Sequence, residues 1–475
     1  MENAMAEAPH YLELIELAAR LEAREISALE VTRAQLDRID ALDHELGSYV
    51  HVMPETAIAE AKAADAEIAN GQYRGPLHGV PIALKDLFWT KGIPTAAGTT
   101  LHRDFRPGED ATVTRRIRDA GGVVLGKLQL TEGAYSDHHP LVTPPRNPWN
   151  PDYWPGISSS GSAVATAAGL CFGSLGSDTG GSIRWPCAAN GLTGLKPSWG
   201  RVSRHGTFEL AATLDHIGPI GRSAVDAGVL LGVIAGHDPN DPTSLLNPVP
   251  DYLAAAARDV RGLRIGVDAA WNGEDVDVAT QHVLADAIDA FRALGAHTVN
   301  VRFPDVEQAI ADWTPNCAVE AAVAHEATYP VRKNEYGPIL GSLLEAGRAL
   351  SGLDYQKILL RRLALRGQVT ALFETIDLLL IPVHPFAPLT LAMIRTLGEQ
   401  PDLIAKLQRY TCPFDMTGHP TITLPGGASA DGLPIAFQLV AAHLDEATLV
   451  RAGAAFQRVT SWHRRHPSLT SRRQH

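Results

Sequence analysis

Cysteine is scarce in this 475-residue sequence, and its spacing excludes two classes of protein. The four cysteines are Cys171, Cys187, Cys317 and Cys412, and no two of them form a Cys-x-x-Cys pair. A disulfide-stapled secreted domain and a zinc cluster both need closely spaced cysteines, so we expect neither. Unpaired cysteines are typical of a reducing compartment, and we therefore expect a cytoplasmic location.

The sequence also lacks an excess of positive charge, a long apolar run and a secretion signal. Its 41 Lys and Arg stand against 53 Asp and Glu, and the formal net charge of −12 opposes attraction to nucleic acid or anionic lipid. No apolar run reaches the roughly 18 residues that a membrane-spanning helix needs. The acidic, amphipathic N-terminus has neither the basic start nor the apolar centre of a signal peptide. We therefore expect neither nucleic acid nor a membrane as a partner.

The composition is that of an ordinary globular protein, and strand and helix patterns alternate along the chain. Hydrophobic residues make up 45% and charged residues 20%. Residues 1–70 have helical periodicity, with Ser27 and Glu30 in a capping-box pattern. Short apolar runs predict strands at 79–88 and 120–128, and later at LRIGVDA, DLLLIPVHPF and HPTITLP. The alternation predicts one α/β domain over 1–475, with a helical region (1–70), a catalytic core (79–210) and a remaining α/β and substrate-loop region (211–475).

Several common motifs of catalysis and cofactor binding are missing. There is no Gly-x-Ser-x-Gly elbow, and no serine stands three residues before a lysine. The segment GGVVLGKL has Leu128 where a phosphate-binding loop needs Ser or Thr. His138 and His139 are adjacent and lack a spaced third ligand, which disfavours a metal site. The sequence therefore predicts no metal and no cofactor.

The residues that carry chemistry lie between Gly79 and Gly200. GVPIALK ends in Lys85, the turn PGISSSGS contains Ser158, and SDTGGSIRWP contains Ser182. These segments resemble the amidase signature family, whose members carry a lysine in Gly-(Val/Ile)-Pro-x-x-x-Lys, a Gly-rich serine turn and Asp-x-Gly-Gly-Ser-Ile-Arg-x-Pro in this order. The resemblance extends with less specificity to NPW, GRVSRHG and GLPIAFQLV, and so spans most of the chain.

The resemblance implies a relay of three side chains, with Ser182 as nucleophile, Ser158 as intermediate and Lys85 as base. A serine hydroxyl is a poor nucleophile until a base takes its proton. A lysine can be that base if it is uncharged, and burial in an apolar setting such as VPIALKDLF disfavours the ammonium form. We therefore expect Lys85 to be buried and neutral when it acts.

The same resemblance implies an oxyanion hole made by the backbone N–H groups of Thr179, Gly180, Gly181 and Ser182. The two glycines lack Cβ atoms, so this turn can curl with its N–H groups aimed at one point. One departure from the family pattern is Ile157, which stands where relatives have glycine before a cis-bonded serine. This departure leaves the geometry of the first turn, and the state of its peptide bond, open.

Other residues near the motifs have roles that the sequence assigns less directly. Asp178 and Arg184 are expected to brace the second turn, which contains Ser182, by hydrogen bonds or an ion pair. Tyr135, Trp154 and Trp185 are candidates for the substrate pocket, although large aromatic side chains are more often plain core.

The resemblance implies an α/β fold with a central mixed β-sheet covered by helices on both faces. It also implies hydrolysis of a small amide, an aryl amide or a carbamate (urethane) through an acyl-enzyme. Two alternatives stay open, namely the glutaminase subunit of a tRNA-dependent amidotransferase and a non-catalytic scaffold of the same fold. The sequence leaves the acyl and amine groups and the oligomeric state undetermined, with a homodimer among the alternatives.

Overall fold

The computed structural model describes residues 8–469 and arranges them around one mixed β-sheet of 11 strands. In chain order the strands are β1 (Tyr49–Val52), β2 (Pro81–Lys85), β3 (Val123–Leu128), β4 (Gly173–Asp178), β5 (Thr193–Lys196), β6 (His216–Gly221), β7 (Arg264–Val267), β8 (His297–Asn300), β9 (Leu378–Pro382), β10 (Thr421–Ala428) and β11 (Pro434–Ala441). Across the sheet their order is β1-β3-β2-β4-β6-β5-β10-β11-β9-β7-β8. This α/β architecture confirms the predicted fold class.

Seventeen α-helices within the described residues connect and cover these strands. They are α1 (Leu14–Glu22), α2 (Ala28–Leu46), α3 (Pro54–Ala69), α4 (Thr112–Asp119), α5 (Ser160–Ala167), α6 (Arg184–Asn190), α7 (Ala224–Ile234), α8 (Tyr252–Ala256), α9 (Ala269–Gly273), α10 (Val278–Ala293), α11 (Glu307–Ala324), α12 (Pro338–Ala349), α13 (Gly352–Leu372), α14 (Leu391–Arg395), α15 (Pro401–Gln408), α16 (Cys412–Thr417) and α17 (Glu446–Val459). The capping box predicted at the start of α2 is confirmed. There the Ser27 hydroxyl accepts the N–H of Glu30, and the Glu30 carboxylate accepts the N–H of Ser27.

The strands that position the candidate site lie in the interior of the sheet. Strand β2 is parallel to both of its neighbours, β3 and β4, while β4 is antiparallel to β6. Every residue of β2, β3, β4 and β6 is buried. Because successive side chains of a strand point to opposite faces, full burial means that both faces of the sheet are covered.

The two halves of the chain meet at β5 and β10, which pair antiparallel. Strands β1 to β6 lie on one side of this junction, and β7 to β9 and β11 lie beyond β10 on the other. The segment before β10 contains α16, whose N-terminal side reaches back to the turn after β4 through Thr411. Residues far apart in sequence therefore converge where β2 and β4 end.

The described residues leave out both chain ends, so residues 1–7 of the acidic N-terminal segment and residues 470–475 lie outside them. Within 8–469, none of the helices combines the length and the apolar character that crossing a bilayer requires. All four cysteines are buried and free.

Candidate active site

Lys85 is the last residue of β2, and its side chain is completely buried. Its Nζ lies 2.7 Å from Oγ of Ser158, 2.8 Å from Oγ of Ser177 and 2.9 Å from Oγ of Ser159. Among the described residues no carboxylate forms an ion pair with this amine. Burial lowers the pKa of Lys85 to about 7, against the smaller opposing effect of more distant carboxylates such as Asp178. The amine is therefore surrounded by hydroxyl groups and loses its proton near neutral pH.

Ser158 lies in the turn that leads into α5, and the Ile157–Ser158 peptide bond is cis. The serine is fully buried, and its carbonyl accepts the N–H of Thr131. Gly156 precedes it at φ +80°, and a Cβ atom there would lie 2.4 Å from Cα of Pro186. Only glycine fits such a close backbone approach. Although Ile157 stands where relatives have glycine, Ser158 is in contact with Lys85.

A second turn, residues 179–182, follows β4. The side chain of Asp178, the last residue of β4, supports this turn. The Asp178 carboxylate accepts the N–H groups of Gly181 at 2.6 Å and Ile183 at 2.9 Å, and the Arg184 guanidinium donates to it at 2.8 and 3.0 Å. Burial alone would raise the pKa of the Asp178 carboxyl, but the charge of Arg184 and these donors hold that pKa well below its ordinary value. The expected bracing role of Asp178 and Arg184 is confirmed.

Three donors hold the carbonyl groups of the same turn from other parts of the chain. The indole N–H of Trp313 donates to the Thr179 carbonyl at 2.7 Å. The Thr411 hydroxyl donates to the Gly180 carbonyl at 2.7 Å, and the Cys412 thiol donates to the same oxygen at 3.4 Å. Sequence analysis did not assign these contacts, because nothing in the local pattern links helix α11 or α16 to the turn.

The four backbone N–H groups predicted to form an oxyanion hole are not equivalent in the structure. The N–H of Gly181 donates to Asp178, as described above. Within the part of the chain that the structure describes, the N–H groups of Thr179, Gly180 and Ser182 donate to no acceptor. Three of the four predicted donors therefore have no acceptor within residues 8–469, and the fourth is already engaged.

Ser182 lies at the end of this turn, with 8% of its surface exposed. Its carbonyl accepts the N–H of Ser159 at 3.3 Å, so the two serine-containing turns are in direct contact. The Ser182 hydroxyl makes no hydrogen bond to any residue between 8 and 469. The structure thus brings Lys85 and Ser158 into contact and places Ser182 against Ser159, the neighbour of Ser158 in the chain, with the Ser182 hydroxyl unengaged.

The candidate pocket residues surround the second turn to different degrees. Trp185 covers Gly181 closely, since a Cβ atom on Gly181 would lie 2.6 Å from Cε2 of the indole. Trp154 and His384 extend this aromatic group, with ring centroids 6.0 and 6.4 Å from that of Trp185. The Tyr135 carbonyl accepts the Thr131 hydroxyl at 2.6 Å, and burial raises the pKa of the Tyr135 phenol. Trp313 of α11 lies against Gly180.

The adjacent histidines take part in local hydrogen bonds. Nε2 of His138 lies 3.2 Å from Oγ of Ser160, and Nδ1 of His139 accepts the N–H of Leu141. Burial lowers the pKa of His138 to about 4, so its ring is neutral near pH 7. Across residues 8–469, no three His, Cys, Asp or Glu side chains are grouped so as to hold a metal ion.

Ser159 and Ser177 are the members of the cluster that sequence analysis missed. Both hydroxyls lie within 2.9 Å of Nζ of Lys85, and the Ser159 hydroxyl also donates to the Ser177 carbonyl. Ser159 is one of three consecutive serines and Ser177 is an inward position of β4, and neither pattern distinguishes a site residue from a buried strand or turn residue. The pairing of β2 with β4 brings Ser177 near Lys85, and Ser159 reaches Lys85 from the turn before α5.

Comparison with known proteins agrees with this arrangement. The family model for amidases matches residues 30–450. The Mycobacterium tuberculosis protein AmiD, which is named as an amidase, is 51% identical over 459 residues, covering 96% of each chain. A glutamyl-tRNA(Gln) amidotransferase subunit from Chloroflexus aggregans is 38% identical over 488 residues, covering 97% of this chain and 99% of that protein.

A solved structure shares the fold over nearly the whole chain. The crystal structure of a bacterial aryl acylamidase of the amidase signature family superposes with a TM-score of 0.85 at 27% identity, covering 95% of this chain and 97% of that one. The family match, the relatives and the sheet topology agree with one another. This chain belongs to the amidase signature family and is a hydrolase that acts on carbon–nitrogen bonds.

Proposed function

We propose that this enzyme hydrolyses a small aryl amide or a related carbamate through an acyl-enzyme on Ser182. The observation that carries the proposal is the contact between Ser158 and a buried Lys85 that has no carboxylate partner among residues 8–469. An amine in that setting is uncharged above about pH 7 and can accept a proton through the intermediate hydroxyl.

In the proposed acylation step, Ser158 transfers the proton of Ser182 to Lys85 as Ser182 attacks the amide carbonyl. Rotation of the unengaged Ser182 hydroxyl toward Ser158 completes the relay, as catalytic hydrogen bonds often form only with substrate bound. The free N–H groups of Thr179, Gly180 and Ser182 would stabilise the tetrahedral oxyanion. The proton then returns through Ser158 to the departing amine, and water removes the acyl group by the reverse route.

The proposed substrate class rests on the aromatic side chains around the second turn. Trp185 lies directly on Gly181, one position from the nucleophile, and Trp154 lies next to Trp185. Planar aromatic surfaces favour an aryl group by stacking and by burial of apolar area. The similarity to an aryl acylamidase points to the same substrate class.

A second candidate function is that of a glutaminase subunit in an amidotransferase. It is favoured by the 38% identity to a glutamyl-tRNA(Gln) amidotransferase subunit over nearly the full length of both chains. Selection of glutamine would require charged groups for its α-amino and α-carboxylate ends. The side chains that face the Cα atoms of Gly180 and Gly181 are instead the aromatic rings of Trp313 and Trp185, and we rank this candidate second.

The proposal also covers the cellular setting of the enzyme. Four buried, free cysteines suit a reducing compartment, so we place the enzyme in the cytoplasm. Its partner is a small amide or carbamate rather than a nucleic acid, in keeping with its net charge of −12.

The test is a panel of anilides, aliphatic amides, carbamates and L-glutamine, with mass spectrometry of the trapped acyl group on Ser182. We expect turnover of anilides or aryl carbamates, and a loss of at least about 10³-fold in Ser182→Ala with the fold retained. Ser160→Ala is the matched control, because its hydroxyl faces His138 rather than Lys85, and it should keep most activity. Preferential hydrolysis of L-glutamine would support the second candidate, and full activity of Ser182→Ala would refute the nucleophile assignment.

A further inference from the structure

Trp313 belongs to α11, far from the signature motifs in sequence, yet it touches the turn that carries the nucleophile. Its indole N–H donates to the Thr179 carbonyl at 2.7 Å across 134 positions of sequence. A Cβ atom on Gly180 would lie 2.5 Å from Cζ2 and 2.7 Å from Cε2 of the indole. The ring therefore lies on the Cα of Gly180, and its only polar atom bonds the preceding carbonyl.

This hydrogen bond fixes the direction of a neighbouring N–H group. The peptide unit between Thr179 and Gly180 is planar and trans, so its C=O and its N–H point in opposite directions. Holding the Thr179 carbonyl against Trp313 therefore points the N–H of Gly180 away from Trp313. That N–H has no acceptor among residues 8–469, so it is free for a ligand.

The turn needs such a restraint because of the two residues in it that lack side chains. Gly180 and Gly181 permit backbone conformations that other residues avoid, and Gly181 has a φ of +139°. A flip of the Thr179–Gly180 unit would exchange its N–H for a carbonyl oxygen. An oxyanion would then face a lone pair instead of a donor.

We propose that Trp313 is a positioning residue, which orients the N–H of Gly180 toward the oxyanion of the tetrahedral intermediate. The inference rests on the proposed acyl-enzyme function, and it adds a residue outside the signature motifs to the machinery. Trp313 itself touches no reacting atom and acts only through the peptide unit that it holds.

The chain offers a matched control in the next peptide unit. The Thr411 hydroxyl donates to the Gly180 carbonyl at 2.7 Å, and so fixes the N–H of Gly181. That N–H already donates to Asp178 at 2.6 Å rather than to a ligand. Loss of the Thr411 bond therefore removes a hydrogen bond of the same length, next to the same turn, without freeing a donor for the oxyanion.

The experiment compares Trp313→Phe with Thr411→Val by two probes that do not require the natural substrate. One is the rate at which a fluorophosphonate labels Ser182, and the other is the Kd of phenylboronic acid, which becomes tetrahedral on the nucleophile. We expect Trp313→Phe to slow labelling and to weaken boronate binding by about 10- to 100-fold. This is less than the 10²- to 10³-fold loss that follows removal of a donor itself. Thr411→Val should stay within about threefold of wild type.

Steady-state kinetics of Trp313→Phe distinguish a positioning role from a purely structural one. The substrate is the anilide that the wild-type enzyme hydrolyses best. A positioning role predicts a lower kcat with KM within about twofold. If Trp313→Phe does not fold, incorporation of benzothienylalanine at position 313 keeps the ring shape and removes only the N–H, with the same expected losses.

The two proposals fail in different ways. Absence of Ser182 labelling in wild type would refute the acyl-enzyme function itself. A folded position-313 variant with wild-type labelling and boronate affinity, or a Thr411→Val variant with equal losses, would overturn the role of Trp313 and leave the proposed function standing.

Discussion

Lys85 and Lys127 are both fully buried, on the adjacent strands β2 and β3, yet their surroundings differ. Nζ of Lys127 lies 3.1 Å from the carboxylate of Asp86 and also donates to the Phe88 carbonyl. Among the described residues, Nζ of Lys85 has only serine hydroxyls within hydrogen-bond distance. Burial lowers the pKa of both amines, but the adjacent Asp86 carboxylate opposes this effect at Lys127, and no carboxylate is as close to Lys85. A setting of neutral hydroxyls is therefore what suits Lys85 to act as a base.

The first prediction concerns the pH dependence of acylation. Burial lowers the pKa of Lys85 from 10.5 to about 7, so the neutral base predominates above pH 7. We expect kcat/KM to be low in acid, to rise with pH and to level off above an apparent pKa near 7. The measurement is kcat/KM, or the fluorophosphonate labelling rate, from about pH 5 to pH 9.5.

Asp215 supplies the control for this prediction. Its negative charge raises the pKa of Lys85, although burial raises the pKa of Asp215 itself to about 6. Asp215→Asn removes that charge, so the midpoint of the profile should move to lower pH. A flat profile, a midpoint near that of free lysine, or a shift to higher pH in Asp215→Asn would contradict Lys85 as the titrating base.

Arg184 offers a second prediction at the residue scale. It is fully buried between the carboxyl groups of Asp178 and Asp415, both of which it contacts. Arg184→Met leaves these two groups facing each other without a cation, and loss of one partner of a buried pair typically costs about 3–5 kcal/mol. We expect a loss of that size in the free energy of unfolding, measured by urea denaturation.

Lys357 and Asp354 form an exposed pair at 3.0 Å that serves as the reference. Lys357→Met should cost less than about 1 kcal/mol, because water and salt screen such pairs. A cost for Arg184→Met as small as that of Lys357→Met would show that the buried cluster does not stabilise the fold.

At the scale of elements, α11 and α12 pack with their backbones in close contact at Gly347. A Cβ atom on this glycine would lie 1.9 Å from the carbonyl oxygen of Ala318. Helix α12, which contains Gly347, also contains Gly341, where a Cβ atom would meet nothing within 4 Å. One helix thus contains one glycine that the packing requires and another that it does not.

This contrast gives the third prediction. Gly347→Ala must push α11 and α12 apart, and overpacking of this kind costs about 1–3 kcal/mol. Gly341→Ala should be neutral or should stabilise the protein by up to about 1 kcal/mol, since alanine is the better helix former. Urea denaturation of both variants checks the difference, and equal stabilities would contradict the close packing of the two helices.

The sequence predicts best the elements whose pattern is local. Apolar runs between glycine and proline predict β2, β3, β7, β9 and β10, and the helical periodicity of the first seventy residues predicts α1 to α3. It misses β8, β11 and also β1, which lies inside the region predicted to be helical. It also misses β4, β5 and β6, whose segments GSLGSD, TGLK and HIGPIG contain glycine. These strands owe their order to pairing with one another and with distant strands, as β5 does with β10.

The candidate site likewise contains residues that the sequence predicts and residues that it cannot predict. The motif spacing predicts Lys85, Ser158 and Ser182, because the chemistry needs those residue types in that order. It cannot predict that Trp313 and Thr411 hold the nucleophile turn, since these contacts span 134 and more than 200 positions. Such contacts depend on how α11 and α16 pack over the sheet, which no local pattern encodes.

At the scale of the whole molecule, one chain supplies every group that the proposed chemistry uses. The relay side chains come from the region of β2 to α6, and Trp313, which holds the Thr179 carbonyl, comes from α11. The sheet joins these regions through the pairing of β5 with β10. The net charge of −12 makes the average electrostatic interaction with nucleic acid repulsive.

The last prediction follows from this self-sufficiency and separates the two candidate functions. An amidase that is complete within one chain should hydrolyse an anilide when purified alone, with a specific activity that is independent of enzyme concentration. Added tRNA should neither bind at about 0.1 M salt nor change the rate, because an acidic surface gains nothing from counterion release.

A glutaminase subunit should instead need its partner subunits for full activity. Anilide turnover assays with and without tRNA, together with a filter-binding assay, measure both properties. Activity that appears only with added tRNA or a copurifying protein would reverse the ranking, and it would mean that the aromatic groups around Gly180 and Gly181 serve a partner-dependent site.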